Sequence, residues 1–194
     1  MLQASFRARR ALRPALGLLA VLAAVQAPPV RAHVTLAEPE ALAGSGYRAV
    51  FKVGHGCEGS AIRELIVHVP EGVRGAKPMP KPGWTLTVEK EPLAEPYSWH
   101  GRTVREDVRR IRWSGGPLDD AHYDEFVAVV RLPEVPGRLY WRVTQRCLLG
   151  EIDWAEVPAP GQDRRALKAP AAWLDLRPAP ASAPAAASAT VHAH

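Results

Sequence analysis

Sulfur is scarce in this chain. Its 194 residues hold two cysteines and two methionines, one of the latter being Met1. The two cysteines are not spaced with histidines as in a Cys/His zinc quartet, so zinc is disfavoured. A single internal methionine, Met79, excludes a methionine-rich site for a soft ion such as Cu(I). No Gly-x-Ser-x-Gly stretch occurs, and Ser60 and Ser114 have no His or Asp partner nearby in sequence, so hydrolase chemistry has no foothold. Between residues 33 and 174 no His-x-His or His-x-x-x-His pair occurs. No segment carries a long helical period with caps, and no long apolar run follows residue 27.

The one apolar run lies at the start. Arg7, Arg9, Arg10 and Arg13 form a charged leader, Ala15 to Ala27 an apolar stretch, and Val30-Arg31-Ala32 a small-residue cleavage pattern. This order predicts a secretory signal peptide over 1–32, because the stretch is short for a membrane span. The mature chain would then run from His33 to His194. The net charge of +5 resides in the leader, whose five charges are all arginines, and the mature chain is balanced. The basic pI is therefore no sign of nucleic-acid binding, which needs a basic face on the folded domain. Export to the periplasm would favour a disulfide between Cys57 and Cys147. The alternative is two unrelated thiols.

What remains is rich in strand signals. Residues 47–53, 62–69, 84–88, 108–113, 125–132, 138–145 and 152–157 alternate or are β-branched. Turn signals separate them at Pro70–Gly72, Pro82–Gly83, Ser114–Pro117, Pro136–Gly137 and Leu149–Gly150. Seven or so short strands predict an all-β fold, a single antiparallel β-sandwich of immunoglobulin-like or cupredoxin-like type, over 33–174. From about residue 175 the chain turns to Pro and Ala, a composition that predicts a disordered tail.

The chemistry is concentrated at the expected new N-terminus. A first-position histidine offers its α-amine and its imidazole Nδ1, which together close a six-membered ring on one metal ion. The amine has an ordinary pKa of about 7.7–8.0, so its lone pair is accessible near neutral pH. Nitrogen donors in a plane suit Cu(II), the tightest binder among the divalent first-row ions. Of the other histidines, His68 falls inside an apolar strand and reads as structural. His100 and His122 read as loop residues, and His192 and His194 sit in the tail without a scaffold.

Several separated motifs then resemble one family. His33-Val-Thr-Leu, Ala43-Gly-Ser-Gly-Tyr47, His55-Gly-Cys-Glu-Gly-Ser60, Lys77-Pro-Met-Pro-Lys-Pro-Gly-Trp84, Trp113-Ser-Gly-Gly116, Asp120 to Phe126 and Trp154 occur in order. Over roughly His33 to Pro170 the chain resembles the YcnI family. The resemblance implies an exported copper-binding β-sandwich that holds Cu(II) with a single-histidine brace: the N-terminal amine, the same residue's imidazole and a carboxylate, with a tryptophan alongside. Carried over to this chain, it implies His33 as the brace, Glu58 as the carboxylate, with Glu125 and Glu38 as fallbacks, and Trp154 as the adjacent indole. His55 and Tyr123 are candidates for lining the site. The resemblance further implies a copper-transport or copper-chaperone partner and a role in copper delivery or homeostasis, not catalysis. Two rival readings stay open: a copper-dependent oxidative enzyme, for which no second histidine has a clear claim in the sequence, and a metal-free interaction module.

Overall fold

The computed structural model describes residues 33–180. The expected signal segment and the tail histidines His192 and His194 lie outside the described residues. The described chain is almost entirely strand, built as three sheets around one core. β1 (Thr35–Leu36), β3 (Gly46–Val53), β8 (Asp124–Arg131) and β5 (Arg74–Pro78) form a four-stranded sheet in the order β1-β3-β8-β5. β4 (Ile62–His68), β6 (Trp84–Trp99), β7 (Arg102–Leu118), β10 (Val143–Cys147) and β11 (Glu151–Trp154) form a five-stranded sheet in the order β11-β10-β4-β7-β6. β2 (Glu40–Leu42), β12 (Ala172–Arg177) and β9 (Gly137–Trp141) make a short third sheet. Pairing is antiparallel throughout except between β12 and β2. This is the expected β-sandwich with one parallel pair added.

Inward-facing apolar side chains from all three sheets meet in one cluster. Aromatic edge-to-face contacts connect the sheets: Trp113 of β7 meets Phe126 of β8 at 5.5 Å between ring centres, and Trp141 of β9 meets Phe51 of β3 at 5.4 Å. Such pairs add about 0.5–1.5 kcal/mol beyond their burial. Several residues behind the family resemblance serve this packing. Trp84 stands edge-on to Phe126 at 5.0 Å, Lys81 pairs with Asp124 at 2.6 Å, and Trp113 donates its N–H to the Met79 carbonyl at 3.0 Å. Pro92 and Pro96 fall in β6, which lies at the sheet's edge, where a missing N–H is tolerated.

Four expectations need correction. Ser114–Pro117 is not a turn but the end of β7, opposite the start of β6. A Cβ on Gly115 would lie 2.6 Å from the Gly83 carbonyl oxygen, so the glycine there serves close backbone approach. The short runs at 84–88 and 108–113 belong to one long hairpin, β6–β7, whose outer half is too polar to read as strand. The run 138–145 is two strands, because the chain leaves the third sheet after Trp141 and joins the five-stranded sheet at Val143. Finally, the domain does not stop at 174. β12 extends to Arg177, with Leu174 and Leu176 buried and Arg177 paired with Glu40. The alternating Trp-Leu-Asp-Leu pattern prevails over the Pro/Ala composition that follows it.

Candidate metal centre

His33 leads directly into β1. The pairing of β1 with β3 sets Thr35 opposite Lys52 and Leu36 opposite Phe51. Continued two residues backward, this register sets His33 across from Gly54, beside His55. Val34 and Val53, the intervening residues, are both buried at 1% exposure, so this end of the sheet is anchored in the core.

Both imidazoles pack on the same indole. The ring of His33 stands edge-on to Trp154 at 5.5 Å between centres, with an interplanar angle of 82°. The ring of His55 does the same at 6.1 Å and 73°. Trp154 closes β11 and is itself buried. Its Nε1–H donates to Gln145 Oε1 at 3.2 Å, and Gln145 Nε2 donates to the His55 carbonyl at 2.9 Å. Gln145 is 1% exposed, and both ends of its amide are used, which offsets the cost of burying it. An indole has one N–H and no acceptor. With that N–H on Gln145, Trp154 serves the two histidines as an apolar wall.

The loop carrying His55 is fixed three times over. Cys57 is joined by a disulfide to Cys147 of β10, with the Cα atoms 5.9 Å apart. The Gly56 N–H donates to Asp120 Oδ1 at 2.8 Å. Gln145 holds the His55 carbonyl. Gly56 has no room for a side chain, since a Cβ would fall 1.8 Å from the Ser60 carbonyl oxygen. Nδ1 of His55 lies 2.5 Å from the Gly56 carbonyl oxygen. A carbonyl can only accept, so Nδ1 carries the proton, and the lone pair of the neutral ring is on Nε2. That Nε2 is shielded from solvent and makes no hydrogen bond.

Glu58 is placed differently from these groups. Cys57 and Ser60 exchange backbone hydrogen bonds at 3.1 and 2.9 Å, which makes Glu58-Gly59 a two-residue turn. Both residues have positive φ, 51° and 88°, as in a type I′ turn. Gly59 adopts that conformation freely, whereas for Glu58 it costs on the order of 1 kcal/mol. The Glu58 side chain is exposed. Among the described residues no three His, Cys, Asp or Glu side chains converge as a ready metal cluster, so Glu58 is not gathered with the two histidines.

The remaining candidates sit elsewhere. Glu125 accepts the Tyr123 hydroxyl at 2.6 Å, with Tyr123 exposed. Glu38 is exposed, and its backbone carbonyl accepts the Tyr47 hydroxyl at 2.6 Å. His68 is half-buried with Nε2 3.4 Å from Thr144 Oγ1. Burial and then the Arg142 and Arg110 guanidiniums push its pKa below the usual histidine range, in keeping with a structural role. His100 packs against Trp99 at the β6–β7 tip, and the exposed His122 lies 4.0 Å from Asp119. Sequence reasoning named His33, Trp154 and the cysteines but missed Gln145 and Asp120. A single Gln in a strand and a single Asp in a loop carry no pattern that marks them.

Residues 33–176 match the family described as "Domain of unknown function (DUF1775)". The chain belongs to the DUF1775 family. This is the family to which the YcnI resemblance pointed. A solved structure with similar coordinates is that of an uncharacterized protein from Nocardia farcinica, described as revealing an immunoglobulin-like fold. It is 23% identical, covers 74% of this chain and 97% of that chain, and has a TM-score of 0.57, which establishes the immunoglobulin-like fold of this DUF1775 domain. No curated protein matches the chain. Among the described residues of the DUF1775 domain, no helix is long and apolar enough to cross a membrane.

Proposed function

We propose that this DUF1775 protein is exported, is trimmed to begin at His33, and binds Cu(II) through the α-amine and Nδ1 of that residue. The packing of the His33 ring on Trp154, 5.5 Å away at the edge of a rigid sandwich, carries the reading. The amine appears only when the peptide bond before His33 is cut. The family match beginning at residue 33 agrees with a functional unit that starts there.

The donors suit the ion. An amine and an imidazole are borderline nitrogen ligands, which favour Cu(II) over the harder divalent ions. The buried, unbonded Nε2 of His55 leaves a polar atom in the same cradle for which an ion would compensate. Glu58, expected as the carboxylate, stands on the turn clamped by the disulfide and adds negative charge near a dication. Export supplies the oxidising compartment in which the Cys57–Cys147 bond persists. In this reading the protein carries copper in the periplasm for delivery to a copper-transport or chaperone partner.

The test is mass spectrometry of the exported protein's N-terminus, followed by Cu(II) titration under spin resonance. Mature protein starting at His33 should bind one Cu(II) tightly with a nitrogen-rich spectrum. A variant with one extra residue before His33 keeps the imidazole but loses the chelate, and should lose tight binding. Undiminished affinity in that variant would sink the reading. Steady turnover of a chromogenic peroxidase substrate by the copper form with reductant would favour the oxidative-enzyme alternative.

A further inference from the structure

We infer that His55, through Nε2, is a third nitrogen donor to the ion chelated by His33, so that the site holds two histidines instead of one histidine and a carboxylate. This rests on the copper reading above. Four observations carry it. The β1–β3 register, continued two residues backward, sets His33 across from Gly54, the neighbour of His55. Both rings lie against one indole, Trp154, at 5.5 and 6.1 Å. The Gly56 carbonyl fixes the tautomer of His55 with its lone pair on Nε2, and that atom is buried with no hydrogen bond. Leaving such an atom unsatisfied costs its desolvation with nothing in return, and a metal bond removes the cost.

The surroundings are those of an oriented ligand. Metal-binding histidines commonly donate their second ring N–H to a carbonyl or carboxylate, which sets the tautomer and strengthens the donor. Gly56 provides that carbonyl. Gln145, Asp120 and the disulfide hold the loop from three sides, so His55 is presented with little left to order on binding. Glu58 lacks each of these features: it is exposed, on a turn, and outside any cluster with the histidines. Its part is that of a nearby charge, not of a donor in the nitrogen plane.

Pulsed spin resonance of the Cu(II)-loaded mature protein, with ¹⁵N-histidine and unlabelled samples, counts coordinated imidazoles. Two are expected, one from His33 and one from His55. H55Q should leave one and weaken Cu(II) at least tenfold in a competition titration, while E58Q should leave two and weaken it less. The imidazole count in the unsubstituted protein keeps the test open even if H55Q folds poorly. One imidazole in that protein, or loss of a donor in E58Q but not in H55Q, overturns the assignment. The variant extended before His33 separates the two readings. If extension abolishes tight binding yet the parent shows one imidazole, the His33 chelate stands and His55 falls. If extension changes nothing, the chelate itself has failed.

Discussion

Gln145 donates to the His55 carbonyl at 2.9 Å and accepts from Trp154 Nε1 at 3.2 Å. One buried amide thus fixes both a histidine-bearing loop and the indole on which two histidines rest. The relationship crosses from β10 to its neighbour β11 and to the loop after β3, so the site's geometry depends on a residue that need not touch an ion.

Replacing that amide should therefore cost more than one hydrogen bond. Gln145→Ala leaves the Trp154 N–H and the His55 carbonyl unsatisfied in the core and opens a cavity. The expected loss is about 2–4 kcal/mol, read as a lower urea midpoint. Gln145→Glu can still accept from Trp154 but cannot donate to His55, and buries a charge besides, so it should be destabilised as well. Wild-type stability in both variants would mean that the bridge holds nothing in place.

The disulfide couples stability to the same loop. Cys57 and Cys147 are 90 residues apart in sequence, and closing a loop of that length stabilises by roughly 4–5 kcal/mol in the chain-entropy model. The double variant C57S/C147S should unfold at a markedly lower denaturant concentration. It should also loosen the 54–60 segment in hydrogen exchange more than the distant β9–β12 pair. Uniform loosening across the domain would assign the bond to global stability alone.

The fold was legible because strand signals are local. Alternation in β3 and β8 and the β-branched run of β4 mark half-buried strands without reference to tertiary structure. β5 escaped because it is short and pairs with the distant β8, Arg74 standing opposite Arg131, and the outer half of the β6–β7 hairpin escaped because it is polar, with Asp107 accepting from Tyr97 and from the Gly75 N–H. β12 escaped because the Pro/Ala composition beyond it masks its alternation. For the site, His33 was visible through its chelate chemistry, and Trp154 through the family resemblance. That the rings of His33 and His55 share one indole was legible only as far as His55 was a candidate for lining the site, because it is produced by strand register over 22 positions and by the placement of Trp154. Neither leaves a spacing motif.

A pH prediction comes from Glu64, which connects three strands. Its carboxylate accepts from Ser114 at 2.9 Å, Arg112 at 3.1 Å and Arg146 at 2.8 Å. Burial alone would raise its pKa, but the Ser114 hydroxyl and the Arg146 and Arg112 guanidiniums outweigh it and hold the pKa below the ordinary value. A carboxylate with a depressed folded pKa contributes stability above its unfolded pKa, about 4.3. That contribution is lost as pH falls through the folded value. The gap in urea midpoint between wild type and Glu64→Gln should therefore be full above about pH 5 and shrink below about pH 4. A gap that does not change with pH would show that the carboxylate's charge plays no part.

The indole itself gives an optical test of where the ion binds. The chain has six tryptophans, and Trp154 is the one in ring contact with both His33 and His55. Cu(II) quenches indole emission steeply with distance, so an ion held by His33 should quench Trp154 most. Titrating the mature protein should remove part of the fluorescence, and Trp154→Phe should abolish most of that change while keeping an aromatic wall. The substitution also leaves Gln145 Oε1 without its donor, so about 1 kcal/mol of stability should go with it. If the Trp154→Phe protein loses the same fraction of its emission on copper addition as the parent, the ion sits near another tryptophan and the His33 centre is misplaced.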